Sequence, residues 1–346
     1  MRDDIVHLTL NELLDANARF DLAAKGTTNH CPMALIALAE MGASPERLRQ
    51  FFDRWEREVA LIAPPVDTTI TRRDWTEHLG DLAAFGALRQ CFQDWVMDAG
   101  PVPVIEAVLQ AGRFAPASNA FHALIRLAYG IEAGHAGEIA SGLASFVASY
   151  LPIDVTLENH RRADSIEAAF DHVTRALRGT TLPQDFITSR LRAVAGDVRF
   201  GKAMLAPPSD TALLDDLART TIGAYWREPD FTLLHTVTAT RAARIVFAEL
   251  RDDLVEQLLP DLWIAMCAAY ATVGPLPAAS PAIPDSSLDW NDVCRMAVAS
   301  NDEHVIKMTY TCLCEDRRDP SPRYLASAVR LVSSDSAGTE SRSSAP

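Results

Sequence analysis

The sequence predicts an all-α fold, and three observations carry that prediction. Apolar residues recur at three-to-four spacing through most of the 346 residues, the period of a helix face. Strand-like alternation bounded by turn signals is scarce. Helix-start signals recur at the expected places, prolines in first turns and Ser or Asp just before them. At 37.8 kDa the chain is long enough to bury a large core, and the patterning is read as one multi-helix domain over 1–333 followed by a polar, small-residue tail, 334–346, expected to be disordered.

Taken in order, Thr9–Ala24 reads as a first helix, closed by a turn at Gly26-Thr27-Thr28-Asn29. Pro32 suits the first turn of a second helix ending near Gly42, and Ser44-Pro45-Glu46 caps a third. Residues 58–73, with Pro64-Pro65, form a connection. Trp75–Met97 holds one or two helices, Pro101 starts another, and Phe121–Ala133 is a strongly apolar helix containing His122. Further helices are expected at 137–149, 163–178, 184–195, 209–226, 231–250, 254–272, 288–300, 302–316 and 322–333. The segment from Gly274 to Ser287 is too rich in proline to be helical throughout and reads as a linker or a loop over a site.

A net charge of −14 and a pI near 5.1 oppose binding to phosphate backbones or anionic membrane surfaces, so neither nucleic acid nor membrane is an expected partner. The acidic N-terminus Met1-Arg2-Asp3-Asp4 does not suit a signal peptide, and a cytoplasmic protein is expected. The six cysteines lie in apolar helical text with no CxxC pair, which suits small buried hydrophobes better than disulfides or zinc.

Two residue types point towards chemistry. Of 32 lysines and arginines only three are lysine, and Lys307 sits three residues after His304, on the same helix face. A desolvated lysine can lose its proton and act as a nucleophile or, after reaction with carbon dioxide, as an anionic ligand; arginine cannot. Nine histidines occur, and His30, His122, His235 and His304 lie in apolar helices or at a helix start. Neutral imidazole is the commonest transition-metal ligand. Taken singly, however, a histidine on an apolar face is ordinarily a hydrogen-bonded core residue, and a lysine there ordinarily snorkels to the surface.

Four segments change that balance together. Thr28-Asn29-His30-Cys31-Pro32-Met33, Phe121-His122-Ala123-Leu124-Ile125-Arg126, Leu233-Leu234-His235-Thr236-Val237-Thr238 and Asp302-Glu303-His304-Val305-Ile306-Lys307 occur in the order seen in the questin oxidase-like family, which the chain resembles from about residue 8 to 333. The resemblance implies an enzyme that inserts oxygen into, or opens, a ring of an aromatic polyketide such as an anthraquinone or its hydroquinone. It also implies a cavity holding a non-haem Fe(II) bound by four histidines and a carboxylated lysine, with dioxygen as co-substrate. Carried over by position, the ligands are His30, His122, His235, His304 and Lys307, with His304 and Lys307 also expected to be catalytic.

Some family members are described as NADPH-dependent Baeyer–Villiger enzymes, so a metal-free monooxygenase using NADPH is the alternative, and a non-enzymatic helical binding protein a second. No GxGxxG turn is present for a Rossmann-type nicotinamide or flavin site, and no GxSxG elbow for a hydrolase. Glu132-Ala133-Gly134-His135 offers a single Glu-x-x-His where a di-iron bundle needs two. Gly134 ends that helix, so His135 is expected to cap or face solvent, and Glu132 to support a metal-site histidine by hydrogen bonding.

Overall fold

The computed structural model describes residues 2–183, 185–208 and 212–343. It is predominantly helical: sixteen α-helices and one small three-stranded sheet occur among the described residues. The chain groups into two compact units, residues 1–65 with 281–346, and residues 66–280. The chain passes between them at Pro65 and again at Ser280, the first inside the 58–73 connection and the second inside the proline-rich segment from Gly274 to Ser287.

In the first unit, α1 (Arg2–Asn17) ends earlier than its apolar spacing predicts, and Phe20–Ala24, expected to be its last turns, is strand β1. The reason is non-local. Phe20, Leu22 and Ala24 are buried in alternation, the period of a strand. β1 pairs antiparallel with β2 (Thr27–Thr28) through a turn at Gly26, whose φ of +73° suits glycine, and on its other edge with β3 (Ala60–Ile62). α2 (Cys31–Glu40) has Pro32 in its first turn and is buried continuously from Cys31 to Leu38. α3 (Pro45–Glu58) starts where the Ser44 hydroxyl accepts the Arg47 N–H at 3.3 Å, and buries Leu48, Phe51, Phe52 and Trp55 on one stripe.

Downstream, α14 (Trp290–Ala299) opens on a capping box between Asp289 and Asp292, and α15 (Glu303–Arg318) packs against α2, α14 and α16 (Pro322–Ser343). α16 runs to Ser343, into the stretch from 334 expected to be a polar tail. An already nucleated helix gains one hydrogen bond per added residue, so a polar composition prolongs a coil that it would not start. Residues 344–346 lie outside the described residues.

In the second unit, two 3₁₀ turns (Trp75–His78, Leu82–Ala84) precede α4 (Phe85–Ala99) and α5 (Pro101–Gln110). Then follow α6 (His122–Glu132), α7 (Ala136–Ala148), α8 (Ile166–Ala176), α9 (Ile187–Ala195), the unexpected short α10 (Val198–Ala203), α11 (Leu213–Arg227), α12 (Phe231–Ala248) and α13 (Asp252–Val273). α6 and α7 pack closely because glycines meet backbone. A Cβ on Gly142 would lie 2.6 Å from Leu127 Cα, and one on Gly130 2.7 Å from the Ile139 nitrogen. Arg126 and Glu138, both buried, join the same two helices through hydrogen bonds of 2.8 and 3.1 Å. α12 packs on α6, α11 and α13 and is buried along most of its length. Its threonines return their hydroxyls to carbonyls of the previous turn, Thr236 to Leu233 and Thr240 to Thr236, which lets a threonine-rich helix be internal.

None of the six cysteines forms a disulfide among the described residues; four are buried, while Cys294 and Cys314 are half-buried. No helix among the described residues is long and apolar enough to cross a membrane.

Candidate metal centre

In the second unit, His122 and His235 meet. His122 is the first residue of α6, and the three residues before it, Asn119, Ala120 and Phe121, all have positive φ (49°, 53° and 70°). Left-handed backbone costs roughly 1–2 kcal/mol per non-glycine residue, and three in succession form a strained left-handed turn directly before the imidazole. That turn brings the Asn119 carbonyl within 2.6 Å of His122 Nδ1. On α12, with Asp230 capping the first turn, His235 Nδ1 lies 2.7 Å from the Phe231 carbonyl, four residues back. A carbonyl oxygen only accepts, so Nδ1 of each ring is the donor and a neutral ring carries its lone pair on Nε2.

Those two Nε2 atoms stand 3.1 Å apart, with ring centroids at 4.7 Å. Two lone pairs face each other at hydrogen-bond distance, an arrangement that calls for a shared proton or a cation. The spacing suits a cation. Ligands at right angles on an ion with Zn–N-like bonds of about 2.1 Å stand about 3 Å apart, and clamping of the remote nitrogen by a carbonyl is the usual support for a ligating histidine. His235 is buried at 1% exposure and His122 at 8%. The half-exposed Phe231 ring lies edge-on to His235, centroids 4.7 Å apart.

The first unit holds the other three predicted residues. His30, at the N-cap of α2, and His304, in the first turn of α15, have rings in edge contact with centroids 4.7 Å apart. Asp302 caps α15 by accepting the N–H groups of His304 (2.8 Å) and Val305 (3.2 Å). The chain before that cap is pinned from α3: Arg47 donates to the carbonyls of Val298 (2.6 Å) and Ser300 and to Asn301 Oδ1 (3.1 Å).

Lys307 follows one turn after His304 and is 3% exposed, so it does not snorkel. Desolvation lowers its pKa to about 8, against the opposing field of Glu303 and then Asp302. At that value about a tenth of the amine is neutral at pH 7, far more than in an ordinary lysine.

Of the residues the sequence singled out, the structure brings His122 to His235 and His30 to His304, with Lys307 buried on the helix of His304. The carboxylate of Glu132, expected to support a metal-site histidine, is engaged by Arg241, with Oε2 2.9 Å from Nη1. His135 caps α7, its Nδ1 accepting the Glu138 N–H at 3.1 Å, as Gly134 suggested. Sequence reasoning missed Glu303, whose Oε1 lies 3.1 Å from His30 Nδ1. The only local signal was an acid directly before His304. It also missed the left-handed turn, for which Asn119 was the hint, since asparagine tolerates that conformation best after glycine.

The sequence profile of the family described as questin oxidase-like matches residues 27–218 and 218–312. A comparison with curated proteins finds no match.

Proposed function

Because the chain belongs to the questin oxidase-like family, whose name denotes an oxidase, we propose that it is a non-haem iron oxygenase acting on an aromatic polyketide of the anthraquinone or hydroquinone type. Its Fe(II) would be held by His30, His122, His235, His304 and Lys307, the lysine as its carbamate. The observation that carries this reading is the pair of Nε2 atoms in His122 and His235, 3.1 Å apart with both Nδ1 atoms bound to carbonyls. The donor set fits the metal: neutral imidazoles suit iron, and a carbamate supplies the anionic oxygen that four neutral nitrogens lack. Burial of Lys307 favours the free amine that carbamate formation requires.

Bound iron supplies the affinity for dioxygen and the one-electron chemistry that no side chain here offers. The protein's own part is orientation and exclusion of water. The carbonyls of Asn119 and Phe231 hold the two imidazoles of the second unit in one tautomer, and the burial of Lys307, 3% exposed, keeps water from the amine. The acidic surface charge of −14 disfavours a phosphorylated substrate, and the half-exposed Phe231 beside His235 favours a flat aromatic one.

The test is dioxygen uptake with a hydroxyanthraquinone hydroquinone as probe. Uptake that requires ferrous iron, incorporates label from ¹⁸O₂ and is lost in Lys307→Arg, which cannot be carboxylated, is the expected result. Uptake by chelator-treated protein that depends on NADPH would replace this reading with the metal-free Baeyer–Villiger alternative.

A further inference from the structure

The outer nitrogens of His122 and His235 are held by backbone carbonyls of their own segments, while Nδ1 of His30 meets a carboxylate. His30 precedes the first residue of α2, and the chain before it is the small hairpin of β1 and β2, where the Asn29 N–H is already bonded to the Leu22 carbonyl at 2.8 Å. No preceding helical turn exists to offer His30 a carbonyl four residues back. A carboxylate stands in that place. Glu303 Oε1 lies 3.1 Å from His30 Nδ1, on a side chain only 19% exposed against an imidazole that is 1% exposed.

We propose that Glu303 is a positioning residue for His30: its carboxylate accepts the Nδ1 hydrogen and so keeps the Nε2 lone pair available to a metal. The inference rests on the metal reading above. An ionised carboxylate only accepts, so the contact selects the ring tautomer protonated on Nδ1. Its charge also makes the imidazole a stronger donor, as in carboxylate–histidine–metal arrangements. Glu303 is placed by its helix. It is the first residue of α15, and the Asp302 cap fixes that turn by accepting the next two N–H groups. The same turn carries His304, whose Nδ1 is 3.8 Å from Glu303 Oε1, so one rigid element sets a ligand and the partner of another ligand together.

Two variants of the full chain test this. In Glu303→Gln the amide oxygen can still accept the Nδ1 hydrogen, whereas the side chain of Glu303→Leu cannot. In metal-free protein labelled with ¹⁵N-histidine, two-bond ¹H–¹⁵N spectra should show His30 protonated on Nδ1 in the parent and in Glu303→Gln, and a mixture of tautomers in Glu303→Leu. The His30 signals are assigned by their loss in His30→Gln. Affinity for Co(II), measured by competition with a fluorescent chelator, should fall on the order of 10–100-fold in Glu303→Leu and stay within about 5-fold of the parent in Glu303→Gln.

His30 protonated on Nε2 in the parent, or unchanged Co(II) affinity in Glu303→Leu, would overturn the proposal. So would a loss in Glu303→Gln as large as that in Glu303→Leu, which would make the carboxylate a ligand in its own right. A parent protein that binds no Co(II) would remove the metal reading, and the tautomer spectra would then decide the Glu303–His30 contact alone.

Discussion

Lys307→Met in the metal-free protein should raise stability, by an amount that follows from the site. The ordinary lysine pKa of 10.5 falls to about 8 in the folded chain, chiefly by desolvation. At 1.36 kcal/mol per pH unit, that gap corresponds to about 3 kcal/mol. The sign is set by which state binds the proton more tightly. Below about pH 8 both states are charged, and folding carries the whole cost of burying the ammonium. Between about 8 and 10.5 the folded amine is neutral while the unfolded one is still charged, so stability rises with pH, and above 10.5 the cost is gone. Methionine has similar length and no charge. The stability difference between Lys307→Met and the parent should therefore contain about 3 kcal/mol at pH 7 that disappears by pH 10.5. Urea unfolding followed by circular dichroism, with chelator and in carbonate-free buffer, measures it at both pH values. A difference that does not change with pH would mean that the amine is not desolvated, and the chemical argument for Lys307 would lose its basis.

Substitutions at three further positions probe the frame of the site. Gly142→Ala, ordinarily favourable in a helix, should here destabilise by about 1–3 kcal/mol in thermal or urea unfolding, because the new Cβ meets the backbone at Leu127. Glu138→Leu leaves the buried Arg126 guanidinium without its carboxylate and should cost about 3–5 kcal/mol by the same measurement. Ala120→Gly should leave stability within about 0.5 kcal/mol, since relief of a left-handed residue offsets the lost buried methyl; Ala120→Val should cost about 2 kcal/mol or more at that φ of 53°.

The helical class and most helices were legible because their signals are local. Ser44 caps α3, Pro101 opens α5, and the apolar stripe Leu48, Phe51, Phe52, Trp55 has the helical period. The strand Phe20–Ala24 was not legible, because what makes it a strand is β3, some forty residues later in the chain. A local window cannot weigh a partner at that distance. In the site, residue type and order marked the histidines and Lys307. Which nitrogen each imidazole presents was invisible, because that depends on the Asn119 and Phe231 carbonyls and on Glu303. The Glu303 contact joins residues 273 apart.

The central claim, that these histidines hold iron, is tested most directly by elemental analysis of protein purified without chelator, alongside His235→Ala and His304→Ala. The account predicts close to one iron per chain in the parent and almost none in either variant, with circular dichroism unchanged. Iron absent from the parent after reconstitution with ferrous salt, or retained in full by both variants, would contradict it.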